Sequence, residues 1–165
     1  MKKIKFIAKT TCIALAVSLA AACSSDDAGG SGGGSGSFLT SKVDGANFKA
    51  AVMGQSTVVA VRNGTFYQIG GSNAELQNMT IGLFNVTGEG TFEVGPDTDN
   101  VLSFFENNIS YDTSDCAGAT GTVTVTKLDE EMIEGTFSFT GKQDENCASS
   151  KTVTTGKFRG IFMQN

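Results

Sequence analysis

Apolar and polar residues alternate with a period of two along most of the chain after Phe38. This spacing places successive side chains on opposite faces of an extended strand. The strands are separated by Gly, Asn and Asp, which favour turns. The pattern predicts strands over 38–43, 46–52, 57–62, 65–70, 78–86, 90–94, 101–105, 108–111, 121–128, 132–140 and 153–162.

About ten short strands without helical crossovers form an antiparallel sheet, because parallel strands need long connections. We therefore predict an all-β domain over residues 38–165, either an antiparallel β-sandwich or a flattened β-barrel. No substantial helix is expected outside the signal peptide described below. Eleven of the twelve phenylalanines lie in this region and supply most of its apolar core.

Two tight turns are predicted from short sequence signals. Asn63-Gly64 separates two strand-forming runs, and both residues tolerate positive φ. Asp44-Gly45 is a second turn of this kind, between Val43 and Ala46. Each signal predicts a β-hairpin.

A longer hairpin is predicted from residues 121–128 and 132–140, which flank three acidic residues. Pairing Leu128 with Met132 places Val123 opposite Phe137, on one face of the hairpin. The same register places Val125 opposite Gly135. The tripeptide Gly-Thr-Phe occurs at 64–66, 90–92 and 135–137, with Gly-Lys-Phe at 156–158. We predict that each copy begins a strand, with Gly relieving a tight bend and Phe facing the core.

Residues 1–22 have the organisation of a secretory signal peptide. Four lysines and no acid precede an apolar stretch that is too short to span a membrane. The stretch ends in Leu19-Ala-Ala-Ala-Cys23, which resembles the lipobox of bacterial lipoproteins, with Ala20 where the family favours Leu. The resemblance implies that Cys23 is lipidated and becomes the first residue. The alternative is an ordinary signal peptide cleaved after Ala22.

Residues 23–37 form a linker rich in Gly and Ser, which is typical of a flexible tether. It begins with Cys23 and the sequence Ser24-Ser25-Asp26-Asp27. This acidic start resembles the surface-export signal of Bacteroidota lipoproteins. The resemblance implies an outer-membrane protein anchored by lipid and facing the cell exterior. Alternatively, the two aspartates only solubilise the linker and the domain faces the periplasm.

Two cysteines remain after Cys12 leaves with the signal peptide and Cys23 takes the lipid. Cys116 and Cys147 flank the hairpin 121–140, at its open end. In an oxidising compartment they predict a disulfide that closes a loop of about 30 residues. The alternative is a pair of free thiols.

The chain is acidic, with 17 Asp and Glu against 12 Lys and Arg. Loss of the signal peptide leaves eight bases, which excludes a nucleic-acid-binding surface of clustered Lys and Arg. The chain has no His, so it lacks the commonest general base and the commonest zinc ligand. We predict no cofactor and no enzymatic activity.

Two groups of acidic residues are weak candidates for cation binding. Asp97, Asp99 and Asn100 have the spacing of a calcium loop, but Val101-Leu102 departs from the EF-hand pattern, and a surface turn is preferred. A second group is expected to converge when the disulfide closes, either as a solvated loop or as a cation site: Asp112, Asp115, Asp144 and Glu145.

Several segments together resemble a family of small Bacteroidota lipoproteins of unknown function. They are the lipobox, the Gly/Ser tether, Val43–Phe48, Glu134–Gly141 and Thr155–Phe158. The resemblance covers the chain from Phe38 to its end. It implies an all-β fold and brings no catalytic residues.

Three functions remain open. A non-catalytic binding or structural module, with a protein or glycan partner, predicts an exposed apolar or aromatic patch. A carrier of a small apolar ligand predicts an interior cavity lined by Phe. A hydrolase that uses paired carboxylates is the least favoured.

Overall fold

Thirteen strands and no helix are present in the computed structural model, which describes residues 36–163. The all-β prediction is therefore confirmed. The strands are β1 (Phe38–Val43), β2 (Ala46–Lys49), β3 (Ala51–Val52), β4 (Gln55–Ser56), β5 (Val59–Asn63), β6 (Phe66–Ser72), β7 (Asn78–Leu83), β8 (Gly90–Val94), β9 (Val101–Glu106), β10 (Ile109–Asp112), β11 (Thr120–Leu128), β12 (Met132–Gln143) and β13 (Ser150–Ile161).

Eleven strands form one curled antiparallel sheet, a half-barrel, and β3 and β4 form a separate two-stranded sheet. The order in the large sheet is β2-β1-β13-β12-β10-β9-β7-β6-β5. β12 is twelve residues long, so two strands pair with the same edge of it: β10 near its end and β11 along the rest. β8 pairs with the other edge of β11. An isolated bridge between Ala60 and Phe162 brings β5 back to the end of β13.

The core lies between the two halves of the curled sheet. Met79, Ile81 and Leu83 of β7 are fully buried, as the alternation along this strand predicts. Across the interior, the ring of Phe48 on β2 meets that of Phe104 on β9 edge to face, at 6.0 Å between centroids. The outer sides of β2 and β9 therefore point in opposite directions.

The long hairpin of β11 and β12 has the predicted register over most of its length. Val123 lies opposite Phe137, and Val125 lies opposite Gly135. The predicted closing pair is wrong. A β-bulge shifts the register between Val125 and Lys127, so that Leu128 pairs with Ile133.

The tight turns are found where Gly permits positive φ. Asp44 and Gly45 have φ of 48° and 87°, as predicted for a two-residue hairpin loop. The second turn lies one residue later than predicted, because Asn63 pairs with Phe66 and leaves Gly64-Thr65 as the loop. Only the first position of this loop has positive φ, 60° at Gly64.

A third tight turn was not predicted from the sequence. Met53 and Gly54 both have positive φ, and Val52 pairs with Gln55 across them. This turn and a break at Ala50 divide the predicted strand 46–52 into β2 and β3 and add β4.

The Gly-Thr-Phe prediction is confirmed at Gly90, where β8 begins and Phe92 packs against the core. At the first copy Gly64 lies in the turn before β6, but the prediction is wrong for Phe66, which points to the outer side of the sheet.

At the other two positions Phe137 and Phe158 face the core, but the predicted strand starts are wrong. Gly135 and Gly156 lie inside β12 and β13, each directly opposite a phenylalanine of the other strand. A Cβ on Gly156 would lie 2.6 Å from a ring atom of Phe137, and one on Gly135 would lie 2.9 Å from the ring of Phe158. These glycines therefore make room for buried rings across the sheet.

Lys151 of β13 forms ion pairs with acidic side chains from two other parts of the sheet, the turn between β1 and β2 and the end of β9. Lys151 Nζ lies 3.2 Å from Asp44 Oδ2 and 2.5 Å from Glu106 Oε1. Asp44 Oδ1 also accepts a hydrogen bond from the backbone N–H of Thr152. The pKa of Asp44 lies below its usual range despite some burial, chiefly because of this hydrogen bond and then because of Lys151.

We expect Asp44→Asn to lower stability at neutral pH by up to about 1 kcal/mol, because the carboxylate is half exposed and its ion pair is screened. A lowered pKa means that the ionised form stabilises the fold above the unfolded value of 3.8. This contribution is lost as the pH falls through the folded value. Urea unfolding of both proteins, at neutral pH and below the lowered pKa, should therefore show a difference that shrinks in acid. A difference that does not depend on pH would contradict the assignment.

Candidate interaction surfaces

An apolar surface lies on the outer side of β5, β6, β7 and β9. Val59 and Val61 are 48% and 47% exposed, and Phe84, just after β7, is 42% exposed. The rings of Phe66 and Phe84 pack together at 4.6 Å between centroids. We refer to Val59, Val61, Phe66, Phe84 and Val101 as the apolar face.

Glycines lie among these apolar side chains. Gly70 pairs with Val59, and Gly82 pairs with Val101. Both glycines are on the outward side of their strands, where a larger side chain would cover the backbone. The backbone of β6 and β7 is therefore open to close approach at this point.

A row of lysines crosses the opposite outer side, on β2, β1 and β13. Cross-strand pairing places Lys49 and Lys157 on either side of Thr40. Lys42 follows two residues later on β1, on the same side of the sheet, and pairs with Asn47. The three lysines are exposed and line a groove of about 520 Å³. We refer to Thr40, Lys42, Asn47, Lys49 and Lys157 as the lysine strip.

The predicted disulfide is present in the structure. Cys116 and Cys147 are joined by an S–S bond, with their Cα atoms 5.7 Å apart. Cys116 is buried, whereas Cys147 is exposed in the loop between β12 and β13. The bond ties this loop to the segment between β10 and β11.

Four carboxylates gather beside the disulfide, as the sequence predicts. Partial desolvation of its carboxylate raises the pKa of Asp144, and the negative charges of Asp112, Asp115 and Glu145 raise it further. Within residues 36–163, no three or more His, Cys, Asp or Glu side chains are grouped to hold a metal ion. The like charges around Asp144 repel one another.

The other cation candidates lie in the turn between β8 and β9. Asp97 and Asp99 are exposed. The amide of Asn100 is engaged in holding the turn: its Oδ1 accepts a hydrogen bond from Phe84 N–H, and its Nδ2 donates one to the Glu93 carbonyl. These contacts fit the surface-turn interpretation of this segment.

The predicted lipidation and export residues lie outside the described residues. They are Cys23, Ser24, Ser25, Asp26 and Asp27. Lipidation and export therefore stay predictions. In the part of the chain that is described, no helix is long and apolar enough to cross a membrane.

Neither surface was identified from the sequence, although part of the lysine strip had a signal. The Asp44-Gly45 turn sets a register in which Lys42 and Lys49 point to the same side of the sheet. Lys157 joins them only through the pairing of β1 with β13, which no local pattern indicates. The apolar face likewise depends on the order of strands in the sheet.

The domain described above coincides with a known family. A domain of unknown function, DUF6252, matches residues 38–163. The chain belongs to this family. Comparisons with curated proteins and with solved structures give no match. The family membership confirms the predicted resemblance in its coarser form, a family of unknown function, and places all the strands of the half-barrel within the DUF6252 domain.

Proposed function

We propose that the protein is a non-catalytic binding module that a lipid on Cys23 holds at the outer membrane, facing the cell exterior. Its DUF6252 domain binds a protein partner through the apolar face. The observation that carries the proposal is the exposure of Val59, Val61 and Phe84 on one outer side of the half-barrel. Exposed apolar side chains grouped on one side of a domain mark interaction sites.

The apolar face has further features of a protein-binding surface. Aromatic side chains contribute most strongly to such interfaces, and the Phe66–Phe84 pair lies at one end of the surface. Val59 and Val61 lie on β5, which pairs with the strand that carries Phe66. The bridge of Ala60 to Phe162 occupies the other edge of β5, so the valines offer their side chains rather than a free strand edge.

The alternative functions have less support. A carrier needs a cavity lined by phenylalanine, whereas the fully buried rings of Phe104 and Phe158 contact the rings of Phe48 and Phe137. These contacts indicate that the rings fill a core rather than line a space. A hydrolase needs a carboxylate pair around a substrate site, and the acids near Asp144 gather in a loop beside the disulfide.

Photo-crosslinking in intact cells tests the binding surface. We expect a photoreactive residue in place of Phe84 to give a discrete crosslinked product, because this position lies in the apolar face. The matched control is Thr136, which is exposed on the outer side of β12. A further change, Val61→Lys, should abolish the product at position 84 by placing a charge in the interface.

Two outcomes would contradict the binding surface. The first is the same product at positions 84 and 136, and the second is no product at either position. A product with twice the mass of the chain would identify the partner as a second copy of this protein. That result would still support the apolar face as the binding surface, and its partner would be a second copy of the chain.

A further inference from the structure

The lysine strip concentrates positive charge in a protein that is otherwise acidic. Eight Lys and Arg residues follow Cys23, and three of them lie in this groove. No carboxylate lines the groove, although fifteen Asp and Glu residues follow Phe38. A local potential of opposite sign to the net charge indicates an anionic ligand.

The lysines of the strip also differ from most other bases in their lack of partners. Lys127, Lys151 and Arg159 pair with neighbouring carboxylates. Within residues 36–163, Lys42, Lys49 and Lys157 make no ion pair. Their charges are therefore fully available to a ligand from outside the domain.

The position of the strip along the chain indicates which anionic surface is nearest. Cys23, where we propose the lipid, precedes Phe38 by fifteen residues. Phe38 begins β1, which is the central strand of the lysine strip and the first strand after the linker. Fifteen extended residues span at most about 50 Å, so a membrane that holds the lipid is within reach of the domain.

The position of the strip in the fold adds a second argument. Lys49 of the strip lies on β2 and Val101 of the apolar face lies on β9, and the inward rings of these two strands, Phe48 and Phe104, meet across the core. The outward sides that carry Lys49 and Val101 consequently point away from each other. A membrane on the side of the strip would leave the apolar face free for a partner.

We propose that the lysine strip docks on the phosphate groups of anionic lipid headgroups and thereby turns the apolar face away from the membrane. This inference rests on the proposed function for the lipid anchor. The interaction is electrostatic, with ammonium groups meeting lipid phosphates, so it weakens at high salt. Each basic residue near an anionic membrane strengthens association about fivefold.

The test uses the lipidated protein reconstituted into vesicles of phosphatidylcholine, with and without phosphatidylglycerol. A membrane-impermeant amine reagent modifies exposed lysines, and mass spectrometry gives the rate at each position. We expect phosphatidylglycerol to slow modification of Lys42, Lys49 and Lys157 several-fold and to leave Lys127 and Lys142 unchanged. High salt should remove the protection. Equal rates in the two kinds of vesicle would overturn the inference.

A pair of matched variants separates the strip from general charge effects. Lys49→Glu/Lys157→Glu leaves Lys42 as a reporter, and Lys127→Glu/Lys142→Glu changes the net charge equally. Protection of Lys42 by phosphatidylglycerol should be lost in the first variant and kept in the second. Loss in both would overturn the inference, because net charge alone would then explain the protection.

Two further measurements distinguish a missing lipid anchor from a wrong docking surface. A protein that does not float with phosphatidylcholine vesicles has no lipid anchor, and the proposed function then fails together with this inference. A protein that floats but shows no protection contradicts the docking surface alone. Protection of the three lysines by inorganic phosphate without vesicles would also overturn the docking surface, in favour of a site for a soluble anion.

Discussion

Replacing Gly156 with alanine is expected to lower the free energy of unfolding by about 3 kcal/mol. A Cβ at this position would lie 2.5 Å from the carbonyl oxygen of Phe137 and 2.6 Å from its ring. Neither group moves easily, because Phe137 is buried and its backbone belongs to the central strand β12. Overpacking of this kind forces the backbone to shift. Urea unfolding followed by circular dichroism measures the change.

The matched control is Gly88→Ala. A Cβ on Gly88 meets nothing within 4 Å, and its backbone does not have positive φ. The control should therefore change stability by less than about 0.5 kcal/mol. If Gly156→Ala is as stable as Gly88→Ala, the close packing of Phe137 on β12 against Gly156 on β13 is not a property of the folded protein.

Gly156 also illustrates which features a single sequence predicts. The tripeptide interpretation treated each glycine as a local bend, and this was correct for Gly64 and Gly90, next to the starts of β6 and β8. At Gly135 and Gly156 the reason for glycine is a ring on the neighbouring strand. That ring belongs to a residue about twenty positions away, so the local sequence carries no sign of it.

The hairpins were predictable because their partners are close in sequence. The alternation of β11 and β12 was sufficient to place Val123 opposite Phe137. The register near the turn was wrong because a β-bulge adds a residue, and neither alternation nor the acidic turn indicates a bulge. Similarly, the turn at Gly64 was placed one residue early, because Asn63 is able to occupy either the turn or the strand.

The order of strands in the sheet decides the candidate surfaces, and this order was not predictable. β13 lies between β1 and β12, and this pairing brings Lys157 beside Thr40 across more than a hundred residues of chain. β7 pairs with β9 rather than β8, which places Val101 beside Gly82. Alternation shows that a residue points outward, but the neighbours of that residue depend on long-range pairing.

Breaking the disulfide is expected to lower the free energy of unfolding by about 3–4 kcal/mol. The bond joins cysteines that are 31 residues apart, so its loss frees a long loop in the unfolded chain. The double variant Cys116→Ala/Cys147→Ala removes the bond without leaving a reactive thiol. Urea unfolding of this variant should match unfolding of the unchanged protein in reductant.

The reductant provides the internal control for this prediction. It should leave the double variant unaffected, because that protein has no Cys116–Cys147 disulfide to reduce. Alkylation of the denatured protein without reductant, followed by mass measurement, establishes whether the bond is present before unfolding begins. A fully oxidised protein that unfolds at the same urea concentration as the double variant would contradict the prediction. The half-barrel would then owe its stability to the pairing of β12 with β13 and to the core, and the disulfide would only fix the acidic loop beside it.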